Sequence, residues 1–188
     1  MKTGLIIALV VVVAGVAAAG EFISVRNNLV MQREAINEQW SQVDVALERR
    51  ADLLPNLVAA VKGYMQHETE VFKDIADARA ALAGGQTPQE KIAANGRLES
   101  GLSRLLVISE NYPQLRSNEN FLRLQDEIAG TENRIAVERR KYNEALEHYN
   151  AQIQRFPDNI VARLSGFTRN DAYFKTGPGS RAVPKVQF

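Results

Sequence analysis

The feature that most constrains this chain is an uncharged, aliphatic stretch close to its first residue. No residue from Thr3 to Gly20 is charged, and every residue of Leu5–Val13 is aliphatic. The hydrocarbon core of a bilayer is about 30 Å thick and needs roughly 20 helical residues. A helix also satisfies its own backbone hydrogen bonds in lipid. We therefore predict a transmembrane anchor over residues 1–23 that contacts the lipid bilayer through residues 4–23.

The same stretch has some features of a cleaved signal peptide. Lys2 is a minimal basic region, and Ala17–Ala19 offers a small-residue cleavage site. The apolar run is longer than a usual signal-peptide core, and helical patterning continues past it, so an uncleaved anchor is favoured. Lys2 precedes the apolar stretch, and Arg26 and Arg33 follow it with two glutamates nearby, so basic residues flank it on both sides. The orientation is therefore left open.

Composition limits the classes of partner. The 188-residue chain has 23 lysines and arginines against 22 acidic residues, whereas nucleic-acid-binding proteins usually have a clustered basic excess. We therefore expect no nucleic-acid partner. The chain has no cysteine, which excludes disulfides, thiolate metal sites and cysteine nucleophiles. The expected location is a bacterial-type plasma (inner) membrane, crossed once, with one soluble domain.

Beyond the anchor, apolar residues recur every three or four positions, the spacing of one helix face. The first stripe comprises Leu29, Ile36, Trp40, Val43, Leu47 and Leu54. Ala51–Pro55 reads as the start of a second helix, because Asp52 suits an N-cap and proline suits a first turn. A kink in one long helix is the alternative. A second stripe runs from Leu54 to Leu82, and Gly84–Gly85 ends it.

Two more helices complete the pattern. Thr87–Glu90 has the sequence of a capping box, and the helix that it begins stops near Asn111–Pro113. A fourth helix, Asn118–Arg155, would be about 55 Å long and needs packing along its length. We therefore predict an all-α protein, in which the transmembrane helix continues into an elongated antiparallel four-helix bundle. The predicted bundle covers residues 24–166, and an irregular tail covers residues 167–188.

Many stretches of the chain resemble the LemA family. The matching stretches are Trp40–Val58, Val61–Tyr64, His67–Glu68, Ala78–Ala80, Glu110–Leu115, Asn118–Phe121, Leu124–Gln125, Thr131–Ile135, Tyr142–Asn143, Tyr149–Asn150, Phe156–Pro157, Gly166–Phe167 and Pro184–Phe188. The resemblance covers nearly all of the chain after the anchor. It implies one N-terminal transmembrane segment, a four-helix-bundle-like domain and no established enzymatic activity. The family also includes a magnetosome-associated member.

Two polar clusters are candidate structural or interaction positions. The first cluster contains Arg49, Arg50, Asp52, Pro55 and Asn56. The second lies inside the predicted fourth helix and contains Glu132, Asn133 and Arg134. For the first cluster, helix capping and exposed ion pairs are favoured over a recognition surface. Because buried polar groups need partners, we also predict an internal network that joins Arg50 or Arg49 with Glu132 or Glu138.

No catalytic constellation is recognisable. His67–Glu68 lacks the second histidine of a zincin helix, and the Glu-x-x-His repeat of di-iron bundles is missing. There is no nucleophile elbow and no phosphate-binding glycine loop. We predict no catalytic, metal-binding or cofactor-binding residues.

These expectations together predict a scaffold or adaptor at the membrane. It would act without catalysis through contacts with other proteins, possibly with itself as a homo-oligomer. The alternative is an accessory regulator of a membrane protease or of an envelope stress response. That alternative is implied by the resemblance, because LemA-family genes often lie near membrane protease or stress genes.

Overall fold

The computed structural model describes residues 2–65 and 67–175, and all of the regular structure in them is helical. The helices are α1 (Lys2–Lys62), α2 (Thr69–Gly84), α3 (Pro88–Ser109), α4 (Pro113–Arg116), α5 (Glu119–Gln152) and α6 (Asp158–Leu164). No strand occurs among the described residues. The prediction of an all-α chain with an N-terminal apolar helix is confirmed. The antiparallel four-helix arrangement stays a prediction, and residues 176–188 of the predicted tail lie outside the described residues.

The apolar stretch forms the first part of α1. Every side chain from residue 3 to residue 21 is exposed. Within the described part of the chain, α1 is the one helix whose length and composition suit a membrane span. In water an apolar surface on all sides of a helix is unfavourable, whereas hydrocarbon solvates it. The start of α1 is therefore a candidate transmembrane helix.

The predicted helix start at Asp52 is wrong, because α1 is a single helix of 61 residues with Pro55 inside it. Asp52 is an exposed mid-helix residue and caps nothing. Proline has no backbone N–H and leaves the Ala51 carbonyl without its usual donor. Arg79 of α2 supplies one, since its Nε atom donates to the Ala51 oxygen at 3.0 Å. A tertiary contact therefore offsets the effect of the proline.

The break between the first two helices lies instead at residues 63–68. Gly63 disfavours helix continuation, and the Met65 N–H donates to the Val61 carbonyl at 3.0 Å. The Met65 side chain is fully buried, which fixes this turn against the core. The stripe from Leu54 to Leu82 is therefore divided between α1 and α2 rather than carried by one helix.

The predicted capping box at the start of α3 is confirmed. The Thr87 hydroxyl accepts from the Glu90 N–H at 3.3 Å, and the Glu90 carboxylate accepts from the Thr87 N–H at 3.2 Å. Backbone N–H donation from Gln86 and Thr87 lowers the pKa of the Glu90 carboxyl. Further along, α3 packs closely on α2. A Cβ atom at Gly101 would lie only 3.1 Å from Ile75 Cγ1, so glycine permits this approach.

The chain divides into two compact units. Of the described residues, the first combines those up to Ser41 with Glu144–Asp171, and the second combines those of Gln42–Asn143 with residues 172–175. The buried apolar residues of the first unit are Val25, Leu29, Ile36, Leu146, Tyr149, Val161 and Ala162. Those of the second unit include Val43, Leu47, Leu54, Val61, Ile75, Leu98, Leu105, Phe121, Ile135, Tyr142 and Phe174. Each unit therefore has an apolar core of its own.

Candidate functional site

The second unit contains a buried arginine that contacts three polar side chains. Arg50 of α1 is only 4% exposed. Its Nη1 atom lies 2.5 Å from Glu132 Oε2 on α5 and 3.7 Å from Glu99 Oε1 on α3. The same atom donates to Asn95 Oδ1 on α3 at 3.3 Å. One guanidinium group therefore links side chains of three helices.

The charges around Arg50 balance within this cluster. A second arginine, Arg139, also lies 3.7 Å from Glu99, so two guanidinium groups face two carboxylates. Asn95 Nδ2 donates to Glu99 at 2.8 Å and orients that carboxylate. The contact between Arg50 and Glu132 is an ion pair without aligned hydrogen-bond geometry, and Arg50 Nε is buried without a hydrogen-bond partner. A balanced cluster of this kind can fix helix register.

Of the positions singled out in the sequence, the structure brings together Arg50 and Glu132. The remaining ones are exposed, namely Arg49, Asp52, Pro55, Asn56, Asn133 and Arg134. Glu138 is buried, but it pairs with Lys141 at 3.1 Å rather than with an arginine of α1. The sequence interpretation missed Asn95, although it lies three residues before the buried Leu98, a spacing that indicates an inward-facing position.

The cluster forms part of the wall of a cavity of about 370 Å³. The apolar residues of this wall are Leu57, Leu102, Leu105, Leu106, Ile128 and Ala129. The polar ones are Arg50, Glu99, Ser103, Gln125 and Glu132. Apolar walls with a few convergent polar groups, in this size range, are typical of ligand or peptide side-chain pockets. We call this space the Arg50 cavity.

An asparagine of α5 holds the backbone of the segment that follows Ala172. Asn143 Nδ2 donates to the Phe174 carbonyl at 2.9 Å, and the Phe174 N–H donates to Asn143 Oδ1 at 3.0 Å. The Phe174 ring lies edge-on to Tyr142, with centroids 6.1 Å apart, and 4.9 Å from Arg139 Cζ. Burial raises the pKa of Tyr142 to about 12. Two backbone bonds and two ring contacts therefore fix Phe174.

A similar arrangement occurs in the first unit. Asn150 Nδ2 donates to the Asn170 carbonyl at 2.6 Å, and the Asn170 N–H donates to Asn150 Oδ1 at 2.9 Å. The Tyr149 hydroxyl donates to the Thr168 carbonyl at 2.9 Å. Burial raises the pKa of Tyr149, and the charge of Arg33 partly offsets that rise.

Both asparagines follow a tyrosine, and the two Tyr-Asn pairs are seven residues apart. The sequence analysis counted both pairs among the stretches that resemble the LemA family and assigned no role to the asparagines. The repeated pair at helical spacing was the available signal, because residues seven apart lie on one helix face.

Metal-binding chemistry has no support in the described ranges. No group of three or more histidine, cysteine, aspartate or glutamate side chains in residues 2–65 and 67–175 is placed to hold a metal ion. Polar groups converge at the Arg50 cluster and at each of the two asparagines. These groups pair with other side chains or with the backbone of the chain itself.

These features define a helical protein with a candidate transmembrane helix. The chain belongs to the LemA family, whose sequence model matches residues 39–188. This assignment confirms the resemblance found in the sequence. The matched region includes α2–α6, the Arg50 cluster and both asparagine contacts, whereas the candidate transmembrane helix precedes it.

Curated relatives include magnetosome proteins. The chain is 25% identical to the magnetosome proteins MamQ 1 and MamQ 2 of Paramagnetospirillum magneticum over 181 residues, covering 81% of this chain and 65% of each relative. It is 24% identical over 143 residues to the protein LemA of Metamycoplasma hominis, covering 76% of this chain and 65% of that relative. The chain thus spans a little under two thirds of the length of these relatives.

Proposed function

We propose that this protein is a single-pass, membrane-anchored helical scaffold or adaptor that acts through protein–protein contacts at the membrane and catalyses no reaction. The observation that carries the proposal is the composition of α1. Residues 3–20 are exposed and carry no charge, and the same helix continues unbroken to the buried Val43 and Leu54. A helix of this kind anchors a helical domain directly at the bilayer.

The chemistry of the domain supports binding rather than catalysis. The opposite charges of Arg50 and Glu132 are paired with each other. Apolar contact area is available on the second unit, where Leu106 and Val107 of α3 and Leu122 of α5 are exposed. Tethering to a membrane raises the effective concentration of neighbours, so weak contacts become productive. The names of the relatives, magnetosome protein and LemA, state no reaction.

The first test is the anchor. Val10→Asp together with Val13→Asp places two charges in the middle of the apolar stretch, at a cost of about 2.5–3.5 kcal/mol each for membrane insertion. We expect this variant to leave the membrane fraction during an alkaline carbonate wash. Val45→Asp, at an exposed apolar position beyond the stretch, is the matched control and is expected to stay in the membrane fraction.

The second test measures whether the protein associates with itself or with other proteins. Full-length protein in mild detergent is analysed by light scattering for its mass and by mass spectrometry for co-purifying proteins. A scaffold or adaptor gives a defined homo-oligomer or a stoichiometric partner. A monomer that recovers no partner would contradict the proposal, even if the anchor test succeeds.

A further inference from the structure

The first unit has an exposed apolar surface outside the candidate transmembrane stretch. The side chains of Phe156, Ile160 and Leu164 are 76%, 51% and 73% exposed. Ile160 and Leu164 are one turn apart on α6 and lie on one face of it. Val161 and Ala162 of the same helix are buried, so one side of α6 belongs to the core and another side is uncovered. We call Phe156, Ile160 and Leu164 the α6 stripe.

Contacts with α1 place this part of the chain near the end of the apolar stretch. α5 ends at Gln152, whose side-chain carbonyl accepts a hydrogen bond from Gln32 Nε2 of α1. After α6 the chain returns to the same level of α1, because Arg33 Cζ lies 5.6 Å from the centre of the Phe167 ring. Helical side chains tilt towards the N-terminus of their helix, so both α1 side chains reach back towards the apolar stretch.

The distance to be covered is short. Gln32 is nine residues after Ile23, the last residue of the predicted span, which corresponds to about 14 Å along the helix. A helix with its side chains is about 10–12 Å wide. A helix such as α6 can therefore fill the space between the level of Gln32 and the bilayer.

The burial pattern of α1 supports the same placement. Val25 and Leu29 lie between Ile23 and Gln32 and are only 7% and 0% exposed. The described residues of this unit outside α1 are 144–171, so part of that range covers these two side chains. α6 contributes buried apolar residues at 161 and 162 that are suited to do so.

The charges beside the α6 stripe suit phospholipid headgroups. Arg155 and Arg163 are exposed, and Asp158 is the only acidic residue in the sequence from 153 to 166. Arg26 of α1, three residues after Ile23, is exposed as well. An apolar face with arginines beside it is typical of helices that lie in the membrane interface, where the apolar side chains enter the acyl region and the arginines meet anionic headgroups.

We propose that the α6 stripe lies in the interface of the bilayer that α1 spans. Phe156, Ile160 and Leu164 then contact the acyl chains, and Arg155 and Arg163 contact anionic headgroups. This contact rests on the proposed anchor, because α6 reaches the bilayer only if α1 crosses it. It goes beyond the anchor in giving the first unit a second attachment, which sets the orientation of that unit relative to the membrane.

The absence of cysteine from the sequence allows a single label at each chosen position. Leu164→Cys, Ala35→Cys and Val16→Cys are each made in the full-length protein and labelled with a thiol-reactive fluorophore. The proteins are reconstituted in vesicles of phosphatidylcholine and phosphatidylglycerol, with a nitroxide near the headgroup end of some of the acyl chains. We expect quenching of the Leu164 label to be several-fold stronger than that of the Ala35 label. Ala35 is the matched control, because it is an exposed residue of the same unit about 18 Å beyond Ile23 along α1.

The Val16 label separates a failure of this contact from a failure of the anchor. Val16 lies in the uncharged stretch, so its label is quenched if α1 spans the bilayer. An unquenched Val16 label would remove the anchor and the α6 contact together. A quenched Val16 label, with the Leu164 label quenched no more than the Ala35 label, would overturn the α6 contact alone.

Charge substitution in the stripe supplies a second readout. Phe156→Asp with Ile160→Asp, added to the Leu164→Cys protein, changes only exposed side chains. It is expected to lower the quenching of the Leu164 label several-fold, because aspartate is unfavourable in the acyl region. The same pair of changes added to the Val16→Cys protein is expected to leave the quenching of that label as it was. Unaltered quenching at Leu164 would show that the stripe does not hold α6 at the membrane and would overturn the proposed contact.

Discussion

Arg79 Nε donates a 3.0 Å hydrogen bond to the Ala51 carbonyl, the oxygen that would accept from residue 55 if that residue were not proline. A proline inside a helix removes one backbone bond and crowds the carbonyl four residues earlier. Ala51 is only 7% exposed, so water has limited access to that oxygen. The side chain of Arg79 from α2 therefore takes the place of a backbone donor of α1 and allows α1 to continue to Lys62.

This relationship predicts that the loss of unfolding free energy on replacing Arg79 depends on whether residue 55 is proline or alanine. In the natural sequence, Arg79→Met leaves the Ala51 carbonyl unpaired and is expected to lower the free energy of unfolding by about 1–3 kcal/mol. In a Pro55→Ala background the backbone N–H of residue 55 bonds to that carbonyl, so Arg79→Met should cost clearly less. Urea unfolding of the four proteins, followed by circular dichroism, measures the difference.

Arg104 provides the control for this comparison of four proteins. It contacts Glu70 and Asp74 of α2 on the protein surface, as Arg79 contacts α1, but has no part in the bond to Ala51. Arg104→Met is expected to have the same small effect with proline or alanine at residue 55. An Arg79→Met cost that is also the same in both backgrounds would contradict the assigned role of Arg79.

The buried ion pair gives a second prediction, which contrasts two neighbouring arginines. Arg50→Met removes the guanidinium that Glu132 and Glu99 share, and breaking a buried pair costs about 3–5 kcal/mol. Because Glu132 is 40% exposed and can regain water, we expect the lower end of that range. Arg49→Met, at an exposed position, should stay within about 0.5 kcal/mol. Thermal unfolding in detergent distinguishes the two, and equal losses would show that Arg50 is not the buried partner.

Periodicity in the sequence predicted the parts of this fold that depend on local chemistry. The capping box at Thr87 and the long fourth helix agree with α3 and α5 because their signals lie within a few residues or repeat along one face. The sequence could also have shown that Arg50, and not Arg49, is the buried arginine. It continues the spacing of Val43, Leu47 and Leu54, so its position alone indicates an inward side chain.

The features that the sequence did not predict depend on contacts between residues that are far apart in the sequence. Pro55 with Asp52 has the local chemistry of a helix start, whereas the Arg79 donor that supports the continuous α1 lies 28 residues from Ala51 in the sequence. The roles of Asn143 and Asn150 likewise require Phe174 and Asn170, whose carbonyls accept from these two side chains of α5. An asparagine on a helix surface has many ordinary partners, so its sequence position does not indicate which one it takes.

The Asn143 contact predicts protection of the segment after Ala172 from proteolysis. Asn143→Ala removes both backbone hydrogen bonds to Phe174, so the chain around Lys175 should open more often. We expect trypsin to cleave after Lys175 several-fold faster in the variant, because cleavage of an opened segment follows the population of the open form. Asn133→Ala, an exposed asparagine of the same helix, is the control. Equal cleavage rates in the natural protein and Asn143→Ala would contradict the assigned contact.

The burial of Tyr142 predicts a loss of stability in alkali. Burial raises its pKa to about 12, whereas an unfolded tyrosine titrates near pH 10. Above about pH 10 the unfolded chain releases a proton that the folded chain retains, so the free energy of unfolding falls as the pH rises towards 12. Below about pH 10 both states are protonated and this contribution is fully present.

Tyr142→Phe isolates that effect, because phenylalanine keeps the ring against Phe174 and has no proton to lose. The difference in unfolding free energy between the natural protein and the variant should be constant up to about pH 10. Above that it should shift in favour of the variant by up to about 1.4 kcal/mol per pH unit until about pH 12. Other groups that titrate in this range are common to both proteins and cancel in the difference. Urea midpoints measured from about pH 8 to about pH 12 test this, and parallel curves would mean that the Tyr142 hydroxyl keeps its ordinary pKa in the folded protein.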